Sequence, residues 1–168
     1  MNTQIQIREA NLSQIRIIKD IAYRTWPDTF KAILTLEQIS YMLDRMYSAE
    51  SLSKQICENG HKFILAVLDN TYLGYASYEI SNKPQSTKLH KIYVLPESQG
   101  LKLGKRLLSF VEQRASEAGN LYLSLNVNRD NKAIGFYQKK GFEIVGQEDI
   151  DIGNGYYMND YVMNKNLI

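Results

Sequence analysis

Residues Val94 to Lys105 read V-L-P-E-S-Q-G-L-K-L-G-K, and a stretch of helical apolar period follows at once. The pattern predicts a strand running into a Gly-containing turn that opens a helix. A helix's first turn leaves backbone N–H groups without partners, and its dipole adds roughly half a positive charge there. Gly100 and Gly104 let an anion approach the main chain, and Lys102, Lys105 and Arg106 bring full charges. This combination binds phosphate. It is not a P-loop: the spacing from Gly100 to Gly104 is one residue short, and Arg106 stands where a Ser or Thr hydroxyl is needed. The dinucleotide pattern G-x-G-x-x-G is absent.

The elements that must position this turn follow from apolar periodicity. Gln4 to Glu9 alternates and predicts a strand. Asn11 or Ser13 caps a helix with Ile15, Ile18, Ile21 and Ala22 on one face, which Trp26-Pro27 is expected to end. Thr35 starts a second helical stretch that runs, with a break near Ser48, to Gly60. Phe63 to Asp69 and Tyr72 to Ile80 read as strands joined by a turn at Asp69-Asn70-Thr71. Ser81 to Thr87, polar and holding Pro84, reads as a loop. Lys88 to Leu95 is the next strand. The helix after the basic turn carries Leu103, Leu107, Val111 and Ala115 at four-residue steps and ends at Gly119. Leu121 to Val127 is a strand, and Asp130 or Asn131 caps a short helix stopped by Gly141. Phe142 to Val145 and Tyr156 to Met163 are the last strands. The order β-α-α-β-β-β-α-β-α-β-β predicts a mixed sheet with a parallel unit across Lys88 to Val127.

The 168 residues form a single domain, residues 1–168, large enough to bury a substantial core. Twenty basic residues against eighteen acidic ones argue against a nucleic-acid module, which normally shows a strong basic stripe. No run approaches the roughly 18 apolar residues of a membrane span. The lone Cys57 excludes an internal disulfide, and no signal peptide is visible, so a cytoplasmic setting is expected.

Three separated segments carry a resemblance. Gln99-Gly100-Leu101-Lys102-Leu103-Gly104 resembles the Q/R-x-x-G-x-G/A signature of the GNAT superfamily of N-acetyltransferases. Asn131 to Phe142 reads N-x-A-x-x-F-Y-x-K-x-G-F and resembles a second pattern of that family, and Leu89 to Val94 resembles its central strand. Lys102 departs from the glycine usual at its position. The resemblance implies an α/β fold with a central mixed sheet of about seven strands flanked by four helices. It implies acetyl-coenzyme A, with the pantetheine arm lying where the central strand splays from the next parallel one. The main chain of Ile92, Tyr93 and Val94 would line that arm. The amides from Gln99 and Gly100 through Leu101, Lys102, Leu103 and Gly104 to Lys105 would hold the pyrophosphate. Asn131 would bond the arm from the far side, and Phe136 would serve the core or the cofactor wall. The resemblance implies no metal.

Acetyl transfer to an amine makes three demands. The amine must be neutral, and an alkylamine of pKa ~10.4 is neutral at pH 7 only at a cost of roughly 4–5 kcal/mol. His90 and Glu79 are candidates for base or relay, and a bound water is a third. The thioester oxygen needs a donor, for which the Val94 N–H is the candidate. The departing sulfur needs a hydrogen-bond donor, for which the family pattern implies Tyr137. A phenol at pKa ~10 is a weaker acid than a thiol at ~8.5, so full transfer is uphill by about 2 kcal/mol and a strengthening hydrogen bond must suffice. By strand alternation His90 is expected to share a face with Lys88 and Ile92 unless a bulge intervenes.

The resemblance also implies an acceptor pocket among the first two helices, the central strand and the last hairpin. Trp26, Asp28, Phe30 and Tyr41 are the candidates there, with Asp149, Asp151 and Tyr157 as further contributors. A Trp beside an Asp suits an apolar, cationic ligand. The segment from Trp26 to Phe30 and the layout resemble bacterial polyamine acetyltransferases of the PaiA type. The expected activity is transfer of acetyl from acetyl-CoA to a primary amine of a small molecule, a polyamine among the candidates, by direct attack in a ternary complex. The alternative is a non-catalytic acyl-CoA sensor. The final hairpin offers an exposed sheet edge on which a homodimer is expected.

Overall fold

The computed structural model describes residues 4–168. Strand β1 (Gln6–Glu9) leads through a 3₁₀ turn into helices α1 (Ile15–Phe30), α2 (Leu36–Tyr47) and α3 (Ala49–Cys57). Strands β2 (Lys62–Leu68), β3 (Thr71–Lys83) and β4 (Ser86–Val94) form a meander. Helix α4 (Leu103–Glu117), β5 (Tyr122–Asn128), α5 (Ala133–Lys139), β6 (Glu143–Gly153) and β7 (Tyr156–Asn166) complete the chain. The seven strands lie in the order β1-β2-β3-β4-β5-β7-β6, and only β4 and β5 are parallel. The mixed α/β architecture is therefore as expected, with five helices rather than four among the described residues. No helix among the described residues is long and apolar enough to cross a membrane.

Alternation along the strands builds two cores. Phe63, Leu65, Val67 and Tyr75 face α1 to α3. Ile64, Ala66, Ala76 and Leu123 face α4, whose Leu103, Leu107, Val111 and Ala115 are all buried. Side chains that alternate in a strand and repeat each turn in a helix meet only in this way.

Three expectations change and one, the break near Ser48, is met. Helix α1 continues through Pro27 to Phe30, because Trp26 and Phe30 are buried on either side of it and Lys31 N–H bonds the Pro27 carbonyl at 2.9 Å. Core packing here outweighs local preference. Ser48 makes the break near it complete, capping α3 by accepting from Ser51 N–H at 3.1 Å. The expected loop from Ser81 to Thr87 is mostly strand. Asn120 Oδ1 accepts from Ser81 N–H at 3.2 Å and the Thr87 hydroxyl at 2.9 Å, tying both strands down, while Pro84 sits in the tight turn where its missing N–H matters little. Strand β6 extends eight residues beyond Val145 to Gly153 and forms one edge of the sheet.

The fourth strand carries a bulge. Ser77 pairs with Lys91 and Tyr78 with Leu89, so His90 has no partner on β3. A bulge turns neighbouring side chains onto one face. His90 therefore does not share a face with Ile92. It joins Lys88, Lys91 and Tyr93 on the side of α1 to α3, where its ring meets Glu79 and the Lys91 amine meets Gln55.

Candidate active site

The parallel pairing of β4 with β5 runs only from Ser86 with Tyr122 to Leu89 with Leu125. Beyond it the two strands part. Leu95 N–H donates to the Leu73 carbonyl at 2.9 Å, so alternation turns the N–H groups of Val94 and Ile92 away from β3 and toward the open side. A cleft of about 480 Å³ fills the gap. Ile92, Tyr93 and Val94 line one wall, and Val127, Asn131 and Tyr137 line the other.

A second cavity of about 520 Å³ borders Val94 and Gln99 and is lined by Gly100, Lys102, Leu103, Gly104, Lys105 and Phe136, with Lys139 and Lys140 at its rim. Helix α4 makes its first turn here. Its first helical bond is Arg106 N–H to the Lys102 carbonyl at 3.2 Å, which leaves the N–H groups of Leu103, Gly104 and Lys105 without helical acceptors. A Cβ on Gly104 would lie 3.6 Å from the Phe136 ring, so a larger side chain would fill the cavity. The turn before the helix is more bent than a strand-to-helix junction, with a 3₁₀ turn at Pro96–Ser98 and Lys102 in the left-handed region at φ 57°. Lys102 therefore does not have the helical backbone that a continuous first turn would give it. The usual glycine suits this conformation, whereas lysine is strained in it. Leu101 is exposed and lines neither cavity.

Asn131 Oδ1 accepts from Ala133 N–H at 2.9 Å and heads α5, leaving its amide NH₂ on the cleft. Tyr137 is buried, packed edge-on against Phe136 and Phe142. Burial pushes its hydroxyl pKa well up, so the phenol stays protonated and has an O–H to donate.

On the acceptor side Trp26 and Phe30 line the cleft, with ring centroids 4.6 Å apart, and Tyr157 joins them from β7. Asp28 and Tyr41 do not. Asp28 is exposed on the outer face of α1 and pairs with Lys31 at 3.6 Å. The Tyr41 hydroxyl donates to the Ile152 carbonyl at 2.7 Å and its ring packs on Tyr156, so it ties α2 to β6. Asp149 pairs with Arg129, and Asp151 accepts from Gly153 N–H within its own turn.

The polar end of the cleft is a cluster that the bulge assembles. His90 Nε2 lies 2.9 Å and His61 Nε2 3.6 Å from Glu79 Oε1, and the two imidazoles stack at 3.9 Å. Burial, together with the nearby Lys88 and Lys91 charges, pulls His90 down to about 3. Burial and the charges of His90 and Lys91 pull His61 down to about 4. Both rings are neutral at pH 7, and the His90 contact is an N–H donated to a carboxylate. Lys91 is half-buried over the Tyr47 and Phe63 rings, and desolvation lowers its ammonium to about 7. The donor atoms of His61, Glu79 and His90 lie within 4.8 Å of one another, as metal ligands do. Their rings are nearly parallel, at 17°, so the in-plane lone pairs cannot meet at one ion without rotation, and the lysines disfavour a cation.

Sequence reasoning missed His61, Lys91, Asn126 and Asp160, all on the cleft. His61 read as a helix-end residue. Lys91 and Asp160 are charges within core-forming strands, but Lys88 and His90 beside the one and Asn159 and Lys165 on the strand of the other hid them.

The splayed strand edge, the free N–H groups above a basic cavity and the Gly104 opening fit acetyl-coenzyme A. The chain matches the acetyltransferase (GNAT) domain model over residues 31–163. It is 29% identical to a spermidine N(1)-acetyltransferase of Thermoplasma acidophilum over 167 residues, 96% of each chain. A crystal structure of the PaiA N-acetyltransferase of Thermoplasma acidophilum in complex with coenzyme A superposes with TM-score 0.81 at 27% identity, covering 97% of this chain and 99% of that one. A GCN5-related N-acetyltransferase of Rhodopseudomonas palustris shares the fold, with TM-score 0.82 at 20% identity over 99% and 98% of the two chains. With residues 31–163 inside the family's pattern and a cleft built for its cofactor, the chain belongs to the GNAT acetyltransferases and is an acetyl-CoA-dependent N-acetyltransferase.

Proposed function

We propose that the protein acetylates a primary amine of a small molecule by direct attack in a ternary complex, with the roles that follow. Acetyl-CoA supplies the acetyl thioester. The N–H groups from Gly100 to Lys105 hold its pyrophosphate, with Lys102 and Lys105 adding charge. Ile92 and Asn131 align the arm, and the Val94 N–H meets the negative charge that builds on the carbonyl oxygen. The observation that carries the reading is the parting of β4 from β5 beside the free N–H groups of the first turn of α4, which leaves one continuous cleft for cofactor and acceptor. Lys91 lines that cleft, and desolvation lowers its ammonium to about 7. A substrate amine losing water in the same place is pushed in the same direction, toward the neutral form that attacks. Glu79 does not line the cleft itself but bonds the His90 ring that does, so the proton reaches it through water, while His90 is too weak a base at about 3 to keep it. The Tyr137 phenol donates a hydrogen bond to the sulfur as it becomes anionic. With its acidity lowered by burial, full proton transfer is steeper than about 2 kcal/mol uphill, so hydrogen bonding is its role.

The relative named for spermidine makes polyamines the first acceptors to try. Trp26, Phe30 and Tyr157 supply the apolar, aromatic wall such a chain would contact. The exposed β6 edge, with Ile144 and Val145 exposed on it, supports a homodimer, and the single Cys57 supports a reducing cytosol. The test is thiol release: free CoA should accumulate only when acetyl-CoA and an amine are both present. Binding of acetyl-CoA without turnover on an amine panel would instead mark an acyl-CoA sensor.

A further inference from the structure

Two carboxylates at the β6–β7 side of the cleft, Asp160 on its wall and Glu148 beside it, make no salt bridge among the described residues, although Lys88 and Arg129 lie near enough to act on Asp160 through space. Glu148 on β6 is paired directly opposite Asp160 on β7. Asp160 is 2% exposed and lines the cleft, while Glu148 is exposed beside it. A single Asn126 amide serves both, donating to Glu148 at 3.0 Å and to Asp160 at 3.4 Å. The nearest guanidinium, Arg129, is committed elsewhere. It pairs with Asp149, and its other nitrogen donates to the Asp160 carbonyl oxygen, not the carboxylate. Among the described residues neither Glu148 nor Asp160 takes part in a salt bridge.

Like charges directly opposite each other across two strands destabilise a sheet, and a buried carboxylate with one long hydrogen bond is poorly compensated. A cation arriving with the ligand would remove both penalties. We propose that Glu148 and Asp160 form the seat for a second ammonium group of the acceptor, so that diamines and polyamines are preferred over monoamines. This rests on the reading of the chain as an amine N-acetyltransferase. It also resolves a conflict in what such a substrate needs. The reacting nitrogen must lose its proton, and the β4 wall with Lys88 and Lys91 favours that. The distal nitrogen keeps its proton, and the β6–β7 wall holds it. The lysines alone would make the cleft hostile to a polycation, and the acidic pair explains how one binds.

The experiment compares 1,4-diaminobutane with n-butylamine, which differ by the second ammonium. Wild type, Asp160→Asn and Glu148→Gln are assayed for kcat/KM by thiol release, and 1,4-diaminobutane binding is measured by calorimetry on the CoA complex. The diamine-to-monoamine ratio of kcat/KM should exceed one in wild type. It should fall about ten- to a hundredfold in Asp160→Asn, through KM, the range for removing a hydrogen bond to a charged group. Glu148→Gln, at an exposed site that tolerates change, should lower the ratio by a smaller factor and weaken diamine binding in the same sense. A wild type that turns over both amines without preference overturns the proposal, as does an unchanged ratio in both variants. Absence of thiol release with every amine overturns the acetyltransferase reading instead, and the calorimetry still reports whether the pair holds a diammonium chain.

Discussion

The two halves of the cleft are made differently. The cofactor half is largely main chain from one segment, Gln99 to Lys105, with strand β4 beside it. The acceptor half is side chains gathered from α1, α2, α3, β4, β5, β6 and β7. A main-chain site needs glycine, a turn and a helix start, and tolerates most side chains. A side-chain site needs particular groups brought together by topology, so its parts lie far apart in sequence. The first half can bind one fixed ligand, and the second can be retuned by single substitutions.

That contrast can be broken from either side. The largest effect belongs at the junction, where Tyr137→Phe should lower kcat by about a hundredfold, the scale for a positioned acid or hydrogen-bond donor, with acetyl-CoA affinity nearly unchanged. Steady-state rates with calorimetry check it, and wild-type turnover would remove the phenol from the mechanism. Next is Gly104→Leu, whose side chain meets the Phe136 ring and should weaken acetyl-CoA by about tenfold or more, with turnover at saturation retained. Unchanged affinity would argue against the pyrophosphate cradle.

The acceptor half predicts a pH effect on stability. His61 and His90 stay neutral when folded down to about 4 and about 3, against an ordinary value of 6.5. Below 6.5 the unfolded chain takes up protons that the folded chain refuses. Stability is therefore complete above that value and declines as pH falls toward 4. Denaturant titrations at pH 7 and pH 5 should show the loss, and His90→Gln should reduce it. The smallest effect is at Lys102. Replacing it by glycine should raise stability by about 1 kcal/mol by relieving the left-handed backbone, while slightly weakening acetyl-CoA through one lost charge.

These differences also explain what was legible in sequence. The succession of elements along the chain, α4 with its buried stripe and the Gln99–Lys105 turn are local, and their periods and spacings are in the chain. The acceptor cluster was not legible because it depends on a one-residue bulge at His90, which turns His90 and Lys91 to the same face. Strict alternation assigns His90 to the wrong neighbours. Asp28 looked well placed beside Trp26 because sequence proximity was read as spatial proximity, yet helical geometry turns it outward once α1 runs through Pro27. Asp160 gave only a faint signal, a charge in a strand that also holds Asn159 and Lys165. Its opposition to Glu148 depends on hairpin register, which the early end assigned to β6 concealed.

Two-substrate initial-velocity kinetics test the central claim most directly, that one cleft holds acetyl-CoA and amine together and passes the acetyl group straight across. Varying acetyl-CoA at several fixed amine concentrations should give intersecting double-reciprocal lines, with no thiol released before the amine is added. Parallel lines, with a burst of thiol from acetyl-CoA alone, would mean the acetyl group rests on the protein first and would contradict the account.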